Sequence, residues 1–332
     1  MAITSGRFTQ NTLPLGYDRV AEHVGRAVAC RRLTEVFEAA PEILFDDSSR
    51  IVLFSDCHRG DKSRADTFAR NEWLFLHALA HYYHEGFTYI EVGDGDELWK
   101  NRQFNSVRQA HERIFDLLHE LDQQNRLYLI VGNHDIQGGR RDPVKKDGII
   151  AQEGLVLRHS KTGQCIFVVH GHQADFTSDR LYMVGRFVVR TIWKRLQLVD
   201  FARVTSRRGC VRKPDKTERR IVEWARANWQ MVICGHTHRP TCATYGAPPY
   251  FNAGSCTYPG YITGLEVQDG EIRLVKWSAR SSAGQKGAAS IERELLTPPR
   301  KLCLFGHSQG AWDARYNSTF LNGARARITT CS

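Results

Sequence analysis

No window of this 332-residue chain reaches the roughly 18 consecutive apolar residues that a membrane span requires. The segment from Met1 to Gln10 has no apolar core of the signal-peptide kind either. These two absences lead to the expectation of a soluble or peripheral protein. Paired cysteine motifs are also missing. The nine cysteines are odd in number, run from Cys30 to Cys331 and include no C-x-x-C. They read as reduced thiols of a cytoplasmic protein, not as a disulfide framework. There is no internal repeat, which excludes solenoid and propeller architectures.

What is present is a series of short apolar runs. Ile51-Val52-Leu53-Phe54, Tyr89-Ile90-Glu91-Val92, Leu127-Tyr128-Leu129-Ile130-Val131, Ile166-Phe167-Val168-Val169 and Met231-Val232-Ile233-Cys234 are β-branched and nearly continuous. Strands covered on both faces have this character. Helical patterns, from about Ala65 to Glu85 and from about Ser106 to Gln124, separate the first three runs. Alternating strand and helix predicts α/β layers, with ligands at the carboxyl ends of the strands. A further helix is expected over residues 15 to 40, with Leu33, Val36 and Phe37 among its apolar positions. Ile262 to Val267 and Ile272 to Val275, flanking Asp269-Gly270, predict a β-hairpin that completes a second sheet. The expected organisation is an N-terminal helical segment (1–45), a core domain (46–278) with an insertion at about 176–230, and a C-terminal extension (279–332) whose last part is poorly ordered.

Each of the five runs is followed by polar side chains that bind metals. In order they are Asp56-Cys57-His58, Gly93-Asp94, Gly132-Asn133-His134-Asp135, His170-Gly171-His172 and Gly235-His236-Thr237-His238. Carboxylate, imidazole and amide oxygen without thiolate suit a hard or borderline divalent ion. Asp56 and His58, two apart in an extended segment, point the same way and can chelate one ion. His236 and His238 can send one imidazole to each of two ions, and Asp94, alone at its strand end, can bridge them. Asn133 and His170 supply the remaining oxygen and nitrogen. Any one of these motifs alone is more often structural than functional. Five in order, each at a strand end, predict a binuclear centre.

These motifs resemble the calcineurin-like metallophosphoesterases, whose pattern is D-x-H, G-D-x-x-D/E, G-N-H-D/E, a histidine beside a glycine, and G-H-x-H. The match runs from about Ile51 to Trp277. The resemblance implies a four-layer αββα metallophosphoesterase sandwich of two mixed sheets with a helical basic cap. It implies two divalent metal ions, Mn²⁺ first, with Fe²⁺ or Zn²⁺ as alternatives. Asp56, His58, Asp94 and His238 would hold one, and Asp94, Asn133, His170 and His236 the other. The implied reaction is hydrolysis of a phosphoester or pyrophosphate bond by metal-bound hydroxide, with no covalent enzyme intermediate. His134 resembles the family histidine that contacts the phosphoryl group or protonates the leaving oxygen, and Glu97 stands where a carboxylate orients it. His172, two after His170, is a candidate substrate contact.

Gly93 to Trp99 and Gly235 to Pro240 resemble the UDP-2,3-diacylglucosamine pyrophosphatase branch of lipid A biosynthesis. That branch has a glutamate and a tryptophan after the bridging aspartate and a basic helical insertion between the fourth and fifth motifs. It carries arginine where this chain has His134. From Phe176 to Gln230 there are fourteen Arg or Lys against five Asp or Glu, so this stretch holds +9 of the chain's +10. Arg186, Arg190 and Lys194 recur every four residues beside a row of Val184, Val188, Ile192 and Leu196. Such spacing predicts a helix with one cationic and one apolar face. A solvated surface helix is the plain reading. The sharper one is a cap whose cations meet a phosphorylated small molecule or lipid-linked nucleotide-sugar at the inner face of a membrane. A metal-dependent nuclease, with nucleic acid as partner, is the alternative, and a catalytically silent metal-binding scaffold is another. Gly306-His307-Ser308-Gln309-Gly310 matches a nucleophile elbow, but no histidine follows His307 to complete a triad.

Overall fold

In the computed structural model, which describes residues 15–101, 103–136, 144–175, 215–281 and 289–305, the apolar runs become strands that bury both faces. Along β2 (Ile51–Phe54), Ile51 and Leu53 enter one apolar cluster while Val52 and Phe54 enter another. The two-residue period of a pleated strand divides one run between two cores. β8 (Cys165–Val169) and β9 (Met231–Cys234) divide in the same way. Their Ile166, Val168, Met231 and Ile233 join Leu53, and Phe167, Val169 and Val232 face a third cluster.

Two mixed sheets result. The first has the order β1–β7–β8–β9–β10, with β1 at Glu42–Phe45, β7 at Gly154–His159 and β10 at Tyr250–Asn252. Only β7 and β8 pair antiparallel in it. The second joins β2, β3 (Thr88–Val92) and β4 (Leu127–Ile130) in parallel and adds β11 (Tyr261–Gln268), β12 (Glu271–Ser281) and β13 (Ala289–Leu295) antiparallel. The sheets face each other across the Leu53 cluster. On the outer face of the second, α2 (Glu72–His84) and α4 (Glu112–Gln123) pack Phe75, Leu79, Ile114 and Leu118 against Val52 and Phe54. α1 (Leu15–Ala39) and α5 (Lys216–Ala227) cover the first sheet with Leu33, Val36, Ile221 and Trp224. This is the expected four-layer αββα arrangement. α3 (Phe104–Ala110), the short hairpin of β5 (Lys145–Lys146) and β6 (Ile149–Ile150), and β14 (Arg300–Lys301) are the other described strands and α-helix, with 3₁₀ turns at Ala69–Asn71, His172–Ala174 and Leu302–Phe305. No helix among the described residues is long and apolar enough to cross a membrane.

The expected hairpin forms from β11 and β12 and completes the second sheet, where β11 pairs antiparallel with the edge of β2. The structure departs from the sequence expectations in three places. Helix α2 starts only at Glu72, since the Asp66 carboxylate accepts the N–H groups of Gly60, Lys62, Phe68 and Ala69 and folds the preceding residues into a loop. The boundary at 278 falls inside β12, and β13 lies beyond it, where Arg293 pairs with the buried Glu266. The last part of the 176–230 insertion is α5, a layer helix whose Trp224 donates to Thr34 of α1. The row of Arg186, Arg190 and Lys194 lies outside the described residues, as does the Gly306 to Gly310 elbow.

Candidate metal centre

All five motifs leave the carboxyl ends of strands that face one another across the two sheets. β2, β3 and β4 present Asp56, His58, Asp94, Asn133 and His134 from one sheet, while β8 and β9 present His170, His236 and His238 from the other. The loops are stitched by backbone bonds. Asp56 N–H donates to Gly93 at 3.1 Å, His58 N–H to Asp94 at 2.8 Å and Gly235 N–H to His170 at 3.0 Å.

Local backbone geometry is unusual here. Asp56, His58, Asp94, His236 and His238, five of the seven expected ligands, have left-handed φ between 50° and 65°. Such a conformation costs a non-glycine residue about 1–3 kcal/mol and persists where the surroundings over-determine it. Two motif glycines are required by close approach. A Cβ on Gly235 would stand 1.7 Å from Ser55 Oγ, and one on Gly132 would stand 2.1 Å from Asp94 Oδ1.

The side chains converge in two overlapping sets. In the first, His238 Nε2 lies 3.0 Å from Asp56 Oδ1 and 3.2 Å from His58 Nε2, and His58 Nε2 lies 3.8 Å from Asp94 Oδ2. In the second, His170 Nε2 lies 3.3 Å from Asp94 Oδ2, and Asp94, His170 and His236 form a group able to hold an ion. Asp94 commits Oδ1 to the N–H of His134 at 2.7 Å, which leaves Oδ2 facing both sets. Asp56 likewise commits Oδ2 to Ser55 Oγ and His236 N–H, and turns Oδ1 toward His58 and His238. His170 donates Nδ1–H to the Val92 carbonyl at 2.8 Å, which fixes Nε2 as the free lone pair.

No ion is part of the structure, so the fit rests on the donors themselves. Asp56 Oδ1, Asn133 Oδ1 and His170 Nε2 are buried and accept or donate no hydrogen bond. Orphaned buried polar atoms are rare and costly, and three at one place fit the donors of a cation site. The charges agree with that reading. Burial alone would raise the Asp94 carboxyl, yet the His170, His134 and His58 imidazoles hold it far below the usual carboxylate range. Asp56 is held well below its usual value in the same way, by His238 and His58. Burial would lower His170, but Asp94 pushes it up to about 9. The two carboxylates are therefore ionised and ready to ligate, and a divalent ion would displace a proton from an imidazole such as that of His170.

Beside the two sets, His134 Nδ1 lies 2.8 Å from Glu97 Oε1, and its ring stacks on Trp99 at 4.2 Å. Trp99 is itself pinned by donating Nε1–H to the Asn133 carbonyl at 2.6 Å. The other Glu97 oxygen lies 3.5 Å from His58 Nδ1, so one carboxylate touches both the first set and His134. A cavity of about 350 Å³ opens over these groups, with Thr67, Trp99, Lys100 and Thr257 joining the histidines in its wall. His172 is not brought to it. Its ring is buried beside His170, 5.4 Å between centroids, and does not line the cavity.

The sequence reading missed the charges beneath the loops. Arg59, Glu91, Asp96 and Lys146 are all buried and joined to Asp135. One signal for them was visible: Glu91 interrupts an otherwise apolar strand, and a carboxylate buried there requires a buried cation.

Candidate metal-ligand groups thus stand at the ends of facing strands in an αββα sandwich. Residues 50–269 match the calcineurin-like phosphoesterase superfamily domain, and the chain belongs to that family. A search of curated proteins finds no match to this chain. Among solved structures, Vps29 of Chaetomium thermophilum is similar at 12% identity, over 77% of this chain and 99% of that one, with a TM-score of 0.39. A score that low supports no functional inference.

Proposed function

We propose that this protein is a two-metal phosphoesterase that hydrolyses a phosphoester or pyrophosphate bond. The observation that carries the reading is the Asp94 carboxylate, which has one oxygen anchored on a backbone N–H and the other placed between two histidine-bearing sets. Asp56, His58, Asp94 and His238 would hold one divalent ion, and Asp94, Asn133, His170 and His236 the other. When bound, the pair would supply Lewis acidity toward the phosphoryl oxygens and an acidified water. The protein's own groups do the rest. Glu97 holds the Nδ1 side of His134 and Trp99 fixes its plane, so the ring is set in the cavity wall where a leaving oxygen would depart. The two-sheet wall behind Asp94 excludes water from all but the cavity side. The set mixes carboxylate, amide oxygen and imidazole without thiolate, which suits Mn²⁺, Fe²⁺ or Zn²⁺, and the family resemblance puts Mn²⁺ first.

The Gly93 to Trp99 segment and the basic stretch after Asp175 support a substrate with more than one phosphate, of the nucleotide-sugar lipid class, met at a membrane surface. A panel assay with the Mn²⁺-loaded protein tests both levels. The substrates are an aryl phosphate monoester, an aryl phosphodiester, a UDP-linked acylated sugar and single-stranded nucleic acid. Hydrolysis of none of them overturns the phosphoesterase reading. Preferential cleavage of nucleic acid overturns the lipid class alone.

A further inference from the structure

Beneath the ligand loops lies a set of five buried charges with no place in the chemistry above. Arg59 forks onto Glu91 through both terminal nitrogens, at 2.7 and 2.9 Å, and its Nε donates to Asp96 at 2.8 Å. Lys146, from the β5–β6 hairpin, reaches Asp135 at 2.6 Å and Glu91 and Asp96 at 3.2 Å each. All five side chains are at most 3% exposed. Glu91, the penultimate residue of β3, and Asp96 flank Asp94, while Asp135 lies two residues after Asn133 and Arg59 follows His58. Asp135 also accepts the N–H groups of Asp96 at 3.0 Å and Gly132 at 2.8 Å.

Burying two cations among three carboxylates is expensive, and an apolar core of the same volume is often as stable. What the cluster gains is geometry. It ties the first, second and third ligand loops to one another from below, where Asp56, His58 and Asp94 sit in a left-handed backbone conformation that non-glycine residues disfavour. Only Lys146 comes from outside those loops. We infer that Lys146 is a positioning residue for the metal centre: through Asp135, Asp96 and Glu91 it holds the loops of Asp56, Asp94 and Asn133 at the spacing that two ions need. The inference rests on the two-metal reading of the site.

The test is Mn²⁺ titration of the full chain by calorimetry, with electron paramagnetic resonance to detect the spin-coupled ion pair. Lys146→Met is compared with wild type at a temperature well below the melting point of each. The expected result is a folded protein whose Mn²⁺ affinity falls about tenfold or more, as loss of an outer partner does elsewhere, and whose coupled signal weakens. Should Lys146→Met not fold, Lys146→Met/Glu91→Gln removes one buried anion with the cation and carries the same measurement. A variant that melts earlier yet binds two ions with wild-type affinity and coupling shows a merely structural role and overturns the inference. Wild-type protein that binds no Mn²⁺ fails the two-metal reading instead, and does so before any variant is made.

Discussion

Replacing Gly132 with alanine adds one methyl group, and the structure says where it goes. The new Cβ would stand 2.1 Å from Asp94 Oδ1 and 2.2 Å from the Asp94 backbone nitrogen, where real Cβ contacts begin near 3.0 Å. Gly132 itself is not among the residues of positive φ, so alanine can adopt its backbone and the effect is purely steric. A carboxylate alone could rotate away, but a backbone nitrogen cannot, so the β3 and β4 loops must part by roughly 1 Å, a displacement that can cost about a hundredfold in rate. Overpacking of this kind costs about 1–3 kcal/mol of stability, which lowers the melting temperature by only a few degrees in a chain of this size. Gly132→Ala should therefore fold, bind Mn²⁺ more weakly and hydrolyse a phosphodiester about a hundredfold more slowly. Calorimetric titration, an aryl phosphodiester assay and thermal melting measure the three quantities. Wild-type Mn²⁺ affinity with turnover within threefold would refute the claim that Asp94 sits at the shared point of the centre.

Asp94→Ala should remove both ions and all hydrolysis, and retention of two tightly bound ions, counted by metal analysis after dialysis, would sink the bridging role. His134→Ala should leave metal stoichiometry at two and slow turnover about 10²–10⁴-fold; a normal rate would mean that the proton reaches the leaving group by another route. Ending the chain at Ser281 deletes β13, β14 and the core side chains of Leu302 and Phe305, and leaves the buried Glu266 without Arg293. Breaking such a buried pair costs about 3–5 kcal/mol, so the melting temperature should fall by on the order of 10 °C. An unchanged melt would place the end of the folded unit at β12.

The centre was legible because its side chains are dictated locally. Each candidate ligand follows a run whose apolar character is itself a local signal, and the strand ends bring the candidate ligands together while leaving His172 off the cavity. The sheet partners were not legible, since pairing is decided between distant segments. Nothing in Ile262 to Val275 reveals that its free edge will meet β2 and not the first sheet, and β7, with Gly154 packed against Val36 and Phe167, gave no period that stood out. His111 shows the same limit on a smaller scale. Its burial between Asp66 and Glu72 splits a helical pattern that looks continuous in sequence. Lys146 was hidden for a related reason: a lysine in a polar stretch reads as solvated, and only the fold carries it under Asp135.

The two sheets meet across the apolar cluster around Leu53, and the centre spans the seam at their carboxyl ends. One set takes Asp56, His58 and Asp94 from the second sheet and His238 from the first, and the other takes Asp94 and Asn133 from the second and His170 and His236 from the first. Each ion would thus act as a rivet through both plates of the sandwich. Binding free energy then becomes resistance to the sheets sliding or parting. Stripping the metal should quicken amide exchange first at the carboxyl ends of β2, β3, β8 and β9, while the opposite ends, held by Ile51, Leu157 and Ile166, keep their protection.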